Sequence, residues 1–337
     1  MTGSVPAAPV ATIEFHRGRS LRSRVVSGVL DRLMTRALRD WTGSTLDPEL
    51  RDRLAAFDRL AAHLPLPHGT RVGTVSVNGL RAEWVVGRGV RDLDAVLMYL
   101  HGGGWVFGGL NSHRALASRL SSAAGRPVLL LDYRMVPDVS LDEEVEDCLA
   151  GFRWLVERGV APARIAIAGD SAGGHLALAT ALRARDRGLP VPGAVVGLSG
   201  VYDMTPSARA GLGPQDDPTG SAVALEWLIE TVLAGDEPQR FSPLHGDLAG
   251  LPPVLLVVGS DEVVRQDAER LARRLASARA ECLLQVWDGQ PHVFQAFAPL
   301  LPEARRSITE IGRFLRRQFD LSHDVHPPSR DVADRRP

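Results

Sequence analysis

The sequence contains no lysine, and all 39 of its basic residues are arginine. This absence removes lysine from every catalytic role, including Schiff-base formation, phosphate binding by a P-loop and a Ser-Lys catalytic dyad. The arginines are balanced by 40 acidic residues, which leaves a net charge of −1. Such a balance argues against a nucleic-acid-binding protein, since these proteins usually carry a basic excess.

Cysteine is almost as scarce, with only Cys148 and Cys282 in 337 residues. Two cysteines cannot form a disulfide framework, and neither lies at the spacing of a metal site. Both stand in periodic apolar stretches, where a free cysteine packs as a small hydrophobic side chain. The sequence therefore predicts no metal and, given the motifs described below, no cofactor.

Long apolar runs are also missing. No stretch approaches the roughly 20 residues that a membrane-spanning helix needs. The run from Pro9 to Phe15 is too short for a secretory signal, and Glu14 interrupts it. We therefore expect a cytoplasmic protein without stable membrane insertion.

Two amphipathic helices are predicted near the N-terminus. Apolar residues recur at the helical period between Ser20 and Trp41. The segment Asp47-Pro48-Glu49 then supplies an N-cap, a first-turn proline and an acidic first turn for a second helix. Seven arginines stand against three acidic residues within the first 40 residues, which would suit a membrane surface. The preferred interpretation is a packed cap helix with its arginines in solvent.

Short apolar strands and amphipathic helices alternate along the rest of the chain. Asn78-Gly79 marks a hairpin between Val72–Val77 and Leu80–Val86. Strands that are apolar throughout are buried on both faces, which predicts a mostly parallel sheet flanked by helices. The interval Asp203–Pro243 breaks the alternation and contains one helical stretch, Ser221–Leu233, so it is predicted as a lid or binding element. The predicted buried strands are Ala95–Leu100, Pro127–Leu131, Ile165–Ala168, Ala194–Leu198, Val254–Val258 and Cys282–Trp287.

These patterns divide the chain into a core, a cap and two tails. The first and last residues are small, polar or proline, which is typical of frayed termini. The predicted segments are a flexible tail at 1–12, a helical cap segment at 13–64, an α/β core at 65–202 and 244–321, a cap insertion at 203–243, and a flexible tail at 322–337.

The strongest motif is Gly169-Asp170-Ser171-Ala172-Gly173, which directly follows the predicted strand Ile165–Ala168 and opens a helix. This is the G-x-S-x-G pattern in a strand–turn–helix context. The turn is so tight that a Cβ two positions from the serine would clash, which explains both glycines. It would hold the Ser171 hydroxyl above the sheet edge, at a helix N-terminus whose dipole favours negative charge.

A second glycine motif, His101-Gly102-Gly103-Gly104-Trp105, follows the strand Ala95–Leu100. Consecutive glycines leave backbone N–H groups uncovered, so two of them together with the Ala172 N–H can form an oxyanion hole. A dinucleotide-binding loop would need G-x-G-x-x-G, but Phe107 stands at the third glycine position. A merely flexible loop is the alternative.

A serine nucleophile needs a base, and the base needs a carboxylate that orients it. Among the ten histidines, His292 follows the last strand at the carboxyl edge of the sheet, as the chain order serine, acid, histidine requires. The acid should then follow a strand between Ser171 and His292. Asp261, the first acid after such a strand, is the predicted residue, and Glu262 is the alternative. Asp203 is interpreted as a loop or helix-capping residue.

Five motifs occur in order along the chain: His101-Gly-Gly-Gly-Trp, Asp132-Tyr-Arg134, Gly169-Asp-Ser-Ala-Gly-Gly174, Ser260-Asp261-Glu262 and Pro291-His292-Val-Phe294. Together they resemble the hormone-sensitive-lipase-like family of α/β-hydrolase esterases. The resemblance implies an α/β-hydrolase fold with a helical cap. It also implies Ser171 as nucleophile, Asp261 as orienting acid and His292 as base. The oxyanion donors that it implies are Gly102, Gly103, Gly104 and Ala172.

We therefore predict a serine carboxylesterase that acts through an acyl-enzyme on Ser171, and the resemblance favours short- to medium-chain acyl esters. The expected partner is a small-molecule ester. A deacetylase for N- or O-acetyl groups, or a lactone hydrolase, is an alternative, because the same catalytic residues serve each of these bonds. A non-catalytic ligand-binding protein on this fold would lack a catalytic residue, whereas Ser171, Asp261 and His292 are all present. A homodimer is left open.

Overall fold

A nine-stranded sheet forms the centre of the computed structural model, which describes residues 11–30, 43, 46–209 and 221–325. The strands are β1 Thr12–His16, β2 Arg71–Val77, β3 Leu80–Val86, β4 Val96–Leu100, β5 Val128–Asp132, β6 Ile165–Asp170, β7 Ala194–Leu198, β8 Val254–Gly259 and β9 Cys282–Trp287. Their order across the sheet is β1-β9-β8-β7-β6-β4-β5-β3-β2. Strand β3 runs antiparallel to β2 and β5, and every other neighbouring pair is parallel.

Helices cover both faces of this sheet. Successive side chains of a strand point to opposite faces. In β4, Val96, Met98 and Leu100 join one hydrophobic cluster, whereas Leu97 and Tyr99 join the other. All five residues are buried, which explains the continuous apolar runs and confirms the predicted α/β fold. The helices are α1 at residues 21–30, α2 Pro48–Ala61, α3 Leu110–Ala124, α4 Leu141–Glu157, α5 Ala172–Asp186, α6 Ser221–Leu233, α7 Arg265–Ser277 and α8 Pro302–Val325.

Two local predictions are confirmed. Asn78 and Gly79 turn the chain from β2 into β3 with φ values of 50° and 91°. Both values lie in the left-handed region that a tight two-residue hairpin needs. Helix α2 begins with Asp47 as its N-cap, because the Asp47 carboxylate accepts a hydrogen bond from the Leu50 N–H at 2.8 Å, and Pro48 stands in the first turn.

The first strand corrects the predicted segment boundaries. The sequence predicts a tail up to residue 12 and a helical segment from residue 13, but Thr12–His16 form β1 and pair in parallel with β9. Thr12 pairs with Leu283, and the alternation of polar and apolar residues along Thr12–His16 is the strand signal that the prediction of a helical segment missed. At the other end, residues 322–325 continue α8 and are not a tail. Residues 1–10 and 326–337 lie outside the described residues.

The two predicted cap segments are described in part. Helix α1 occupies residues 21–30 of the helix predicted for Ser20–Trp41, whereas residues 31–41 lie outside the described part of the chain. Ser23 attaches α1 to the core, because its Oγ accepts a hydrogen bond from Gln290 Nε2 at 2.9 Å. Helix α6 has the predicted bounds, Ser221–Leu233. Residues 210–220 are not described.

The two cysteines lie in the interior of the protein. Cys148 and Cys282 are both buried and free. Burial raises the pKa of both thiols, that of Cys282 to about 12, so both remain protonated at neutral pH.

Within the described ranges, every helix is too short or too polar to cross a lipid bilayer.

Candidate active site

Ser171 lies on the sharp turn between β6 and α5. Its φ is 52°, a left-handed value that is rare for a residue with a side chain. A Cβ on Gly169 would lie 2.2 Å from the Gly173 carbonyl oxygen, and one on Gly173 would lie 2.0 Å from the Leu100 carbonyl oxygen. No side chain fits at either position. The two glycines therefore allow the turn that presents the serine, as the sequence motif predicts.

His292 reaches Ser171 from the loop after β9. Its Nε2 lies 3.0 Å from Ser171 Oγ, although the two residues are 121 positions apart. The next residue, Val293, has a φ of 51°, so the chain bends sharply beside the histidine. The structure thus brings together the two residues that the sequence pairs as nucleophile and base.

The carboxylate beside His292 belongs to Glu262, and the prediction of Asp261 is wrong. Glu262 Oε2 lies 2.6 Å from His292 Nδ1, and its side chain is 3% exposed. Asp261 is exposed and accepts a hydrogen bond from Ser260 Oγ at 2.5 Å. The loop after β8 turns Asp261 outward, whereas the next residue points toward the histidine. Two adjacent acids cannot be distinguished by chain order alone.

Ser199 is a functional neighbour that the sequence interpretation missed. It lies directly after β7 with a φ of 50°. Its Oγ donates a hydrogen bond to Glu262 Oε1 at 2.8 Å and accepts one from the Val293 N–H at 3.1 Å. Ser199 therefore joins the loop of the acid to the loop of the histidine. Its position after a strand, at the same edge of the sheet as Ser171, is the signal that could have identified it.

The environment of His292 determines its protonation. Desolvation lowers the pKa of His292, but the hydrogen bond to Glu262 and the negative charge of Glu262 raise it above its ordinary value. Glu262 accepts a hydrogen bond from Nδ1–H, so Nε2 of the neutral ring faces Ser171 Oγ as the hydrogen-bond acceptor. The His292 side chain is 43% exposed, so the ring is not sealed inside the core.

The glycine loop after β4 supplies free N–H groups beside Ser171. Gly103 and Gly104 have φ values of 126° and 58°, and a Cβ on Gly103 would lie 1.9 Å from the Phe107 carbonyl oxygen. Within the described residues, neither glycine N–H donates to an acceptor. Ala172 begins α5, and the first N–H groups of a helix have no intrahelical acceptor. These three donors can therefore bind an anion.

Gly102 does not contribute a donor, contrary to the prediction. Its N–H donates to Asp170 Oδ1 at 3.2 Å and is therefore already used. A Cβ on Gly102 would lie 2.3 Å from Asp170 Oδ2, so the position is closed by this carboxylate. Gly102 thus anchors the loop, whereas Gly103 and Gly104 provide its free N–H donors.

Trp105, which ends the glycine motif, is held in the interior by His175. Trp105 is fully buried, and its Nε1–H donates to His175 Nδ1 at 3.2 Å. His175 Nε2 then donates to the Phe241 carbonyl oxygen at 2.7 Å. Burial lowers the pKa of His175 to about 4, so the ring is neutral and holds this donor–acceptor pattern at neutral pH.

Asp203 takes no part in the site. Its Oδ1 accepts hydrogen bonds from the Thr205 N–H at 3.0 Å and from the Thr205 hydroxyl at 2.7 Å, as expected for a loop-capping residue. His245 Nε2 lies 3.2 Å from the same oxygen. In the part of the chain that the structure describes, no three His, Cys, Asp or Glu side chains are grouped so that they could hold a metal ion.

Comparison with known proteins gives consistent similarities. Residues 97–296 match a family model described as an alpha/beta hydrolase fold. An acetyl-hydrolase of Streptomyces hygroscopicus is 38% identical over 84% of this chain and 95% of that protein. The esterase LipU of Mycobacterium tuberculosis is 38% identical over 76% of this chain and 90% of its own. The crystal structure of an esterase from the bacterial hormone-sensitive lipase family matches with a TM-score of 0.77 and 37% identity, over 90% of this chain and all of that one.

Proposed function

The chain belongs to the α/β-hydrolase fold family, among the hormone-sensitive-lipase-like esterases, and on this basis we propose that it is a serine carboxylesterase. The observation that carries the proposal is the unbroken contact from Ser171 Oγ through the His292 ring to Glu262. This arrangement joins a nucleophile, a base and an orienting carboxylate, which are the parts that acyl transfer to a serine requires.

In the first step, Ser171 Oγ attacks the carbonyl carbon of the ester while His292 Nε2 takes the hydroxyl proton. Glu262 holds Nδ1–H and stabilises the imidazolium that forms. His292 then gives its proton to the leaving alcohol, and the acyl group remains on Ser171. Water, activated by the same nitrogen, releases the acid and restores the serine.

The tetrahedral intermediates carry a negative oxygen, for which the N–H groups of Gly103, Gly104 and Ala172 are the proposed donors. Backbone donors of this kind are fixed before the reaction and need no reorganisation when the charge develops. The conformation of the glycine loop therefore contributes directly to the rate.

Hydrolysis of p-nitrophenyl butyrate, together with labelling by a fluorophosphonate, tests the proposal. We expect turnover by the native protein, one covalent label on Ser171, and loss of both after heat denaturation. A native protein that neither turns over the ester nor takes the label would instead be a non-catalytic ligand-binding protein.

Helix α6 limits the space beside the proposed oxyanion site. A Cβ on Gly104 would lie only 2.9 Å from Leu228 Cδ1, so the leucine side chain rests directly on the glycine loop. This close contact, together with the acetyl-hydrolase among the relatives, supports short acyl groups as the substrate class. It also supports the proposal that α6 belongs to a cap over the pocket.

Replacement of Leu228 by alanine is expected to shift the preference toward longer acyl chains. Each buried methylene contributes to selectivity, so the ratio of kcat/KM for octanoyl over butyryl p-nitrophenyl esters should rise about tenfold. Val223→Ala is the matched control, because Val223 lies on the same helix and is 59% exposed. A ratio that is equal in both variants would show that Leu228 does not line the acyl pocket.

The pH dependence of kcat/KM follows from the state of His292. The base must be neutral, and Glu262 raises its pKa, so activity should rise with pH and reach half its maximum above the ordinary value of 6.5. The measurement is kcat/KM between pH 5 and 9 at constant ionic strength. A midpoint below 6.5 would contradict the proposed pairing with Glu262.

Removal of an acetyl group from an amide, or opening of a lactone, is a second candidate. The name of the acetyl-hydrolase relative favours hydrolytic removal of an acetyl group and does not specify the bond. A panel of acetyl esters, N-acetyl amines and lactones separates these activities, and the largest kcat/KM identifies the bond.

The cytoplasmic location and the homodimer stay predictions, to be tested by cell fractionation and by light scattering.

A further inference from the structure

A largely enclosed pair, His113 and Asp170, lies behind the glycine loop and takes no part in the proton transfers above. We propose that His113 is held as an imidazolium that neutralises Asp170, and that this pair positions the oxyanion-binding loop without opposing the charge that the loop must bind. His113 is thus a positioning residue. The inference rests on the proposed esterase function for its kinetic consequence, but not for the protonation of His113.

The contacts of the two ring nitrogens assign the protonation. His113 Nε2 lies 3.3 Å from Asp170 Oδ2, an oxygen that can only accept a hydrogen bond. His113 Nδ1 lies 3.2 Å from the Gly109 carbonyl oxygen and 2.9 Å from Ser112 Oγ. The Ser112 hydroxyl donates to Asp58 Oδ1 at 2.7 Å, so its oxygen accepts from His113. Both nitrogens face acceptors, and only the imidazolium has two N–H donors.

The surrounding charges favour this state. Asp170 on β6 and Asp58 on α2 are the two carboxylates near the ring. Desolvation lowers the pKa of His113, but the charge and hydrogen bond of Asp170 outweigh it, and the pKa is raised. Tyr99 on β4 donates its hydroxyl to Asp170 at 2.6 Å and therefore carries no charge.

The second histidine of this region, His101, remains neutral and does not add a second positive charge beside His113. The His101 ring centroid lies 5.4 Å from that of His113. Burial lowers the pKa of His101 to about 4, and its Nδ1 donates to the Gly102 carbonyl oxygen at 2.9 Å. The cluster therefore contains one cation, His113, set between the carboxylates of Asp170 and Asp58.

The position of Asp170 shows why this cation matters. Asp170 directly precedes Ser171, and its Oδ1 accepts the Gly102 N–H that begins the glycine loop. A carboxylate so close to the proposed oxyanion would repel it if left without a partner. Pairing with His113 removes most of this repulsion while Oδ1 still anchors Gly102. The His113–Asp170 pair thus attaches the glycine loop rigidly while its own net charge stays close to zero.

The kinetic test uses His113→Gln, the double variant His113→Gln/Asp170→Asn, and His245→Gln as a control. In His113→Gln the Asp170 charge is unpaired, so kcat for p-nitrophenyl butyrate should fall about tenfold or more while KM changes by less than about twofold. In the double variant an amide pair replaces the ion pair, the Gly102 anchor is kept, and kcat should recover at least about fivefold over His113→Gln. His245 pairs with Asp203 outside the site, so its variant should retain the native kcat.

A double variant no more active than His113→Gln would overturn the charge argument, since a purely structural role predicts added losses. Protonation is measured separately by ¹⁵N NMR of histidine-labelled native protein at pH 8, with the His113 signal assigned through His113→Gln. We expect both ring nitrogens of His113 to carry protons. A neutral His113 ring at pH 8 would overturn the inference. This readout needs no turnover, so it remains decisive if the native protein hydrolyses no ester.

Discussion

Replacing Ser171 by alanine is expected to lower kcat for a p-nitrophenyl ester by about 10⁵-fold and to abolish fluorophosphonate labelling. The reason is that Ser171 Oγ is the only nucleophile within hydrogen-bonding reach of His292 Nε2 among the described residues. The small remaining rate would come from substrate binding and the oxyanion donors acting on water. The measurement is kcat at saturating butyrate ester, with labelling followed by intact mass.

The fold should tolerate this change. Alanine keeps the Cβ of Ser171 and loses only the hydroxyl that contacts His292 Nε2, and the strained backbone at φ 52° is the same in both proteins. The thermal midpoint should therefore be unchanged. Ser277→Ala is the matched control, because Ser277 is exposed on α7 and its Oγ donates a hydrogen bond to the Arg273 carbonyl oxygen within the same helix. Equal losses in both variants, or full labelling of Ser171→Ala, would disprove the assignment of the nucleophile.

Glu262→Gln and Asp261→Asn form a pair of variants that should differ by about 10³-fold or more in kcat. Glu262 Oε1 accepts hydrogen bonds from the Gly259 N–H at 2.6 Å and from Ser199 Oγ at 2.8 Å. A glutamine must place its carbonyl oxygen there, so its NH₂ group faces His292 Nδ1. The imidazole is then forced to carry its proton on Nε2, where it cannot accept one from Ser171.

Asp261→Asn should keep kcat within about twofold of the native value, because its carboxylate is exposed and a surface substitution of this kind has little effect. Both variants replace one carboxylate by its amide in the same loop, so a general effect of lost charge would appear in both. A large loss in Asp261→Asn with an active Glu262→Gln would reverse the assignment and restore the acid first predicted from the sequence.

The sequence predicts the site well where the chemistry depends on local geometry. The turn at Ser171 needs glycines two positions away on either side, and the spacing itself reveals them. The position of His292 follows from a strand end and the chain order. The buried strands are visible because a sheet covered on both faces has continuous apolar runs, as β4 and β6 do.

The remaining features depend on contacts between distant segments. Whether Asp261 or Glu262 reaches the histidine depends on how the loop after β8 turns, and Ser199, from the loop after β7, holds Glu262 in place through a hydrogen bond. Gly102 looks like its two neighbours in sequence, but it is distinguished by the Asp170 carboxylate that occupies its N–H. Neither feature has a periodicity or spacing that a single chain displays.

The pairing of β1 with β9 has a consequence for the integrity of the site. Because all five residues of β1 pair with β9, the strand that leads into the His292 loop is an interior strand. A strand at the border of a sheet presents free N–H and C=O groups, unfolds locally more readily and recruits strands from other molecules. The N-terminal segment thus protects the strand that supports the base from fraying, although it lies far from the catalytic motifs in sequence.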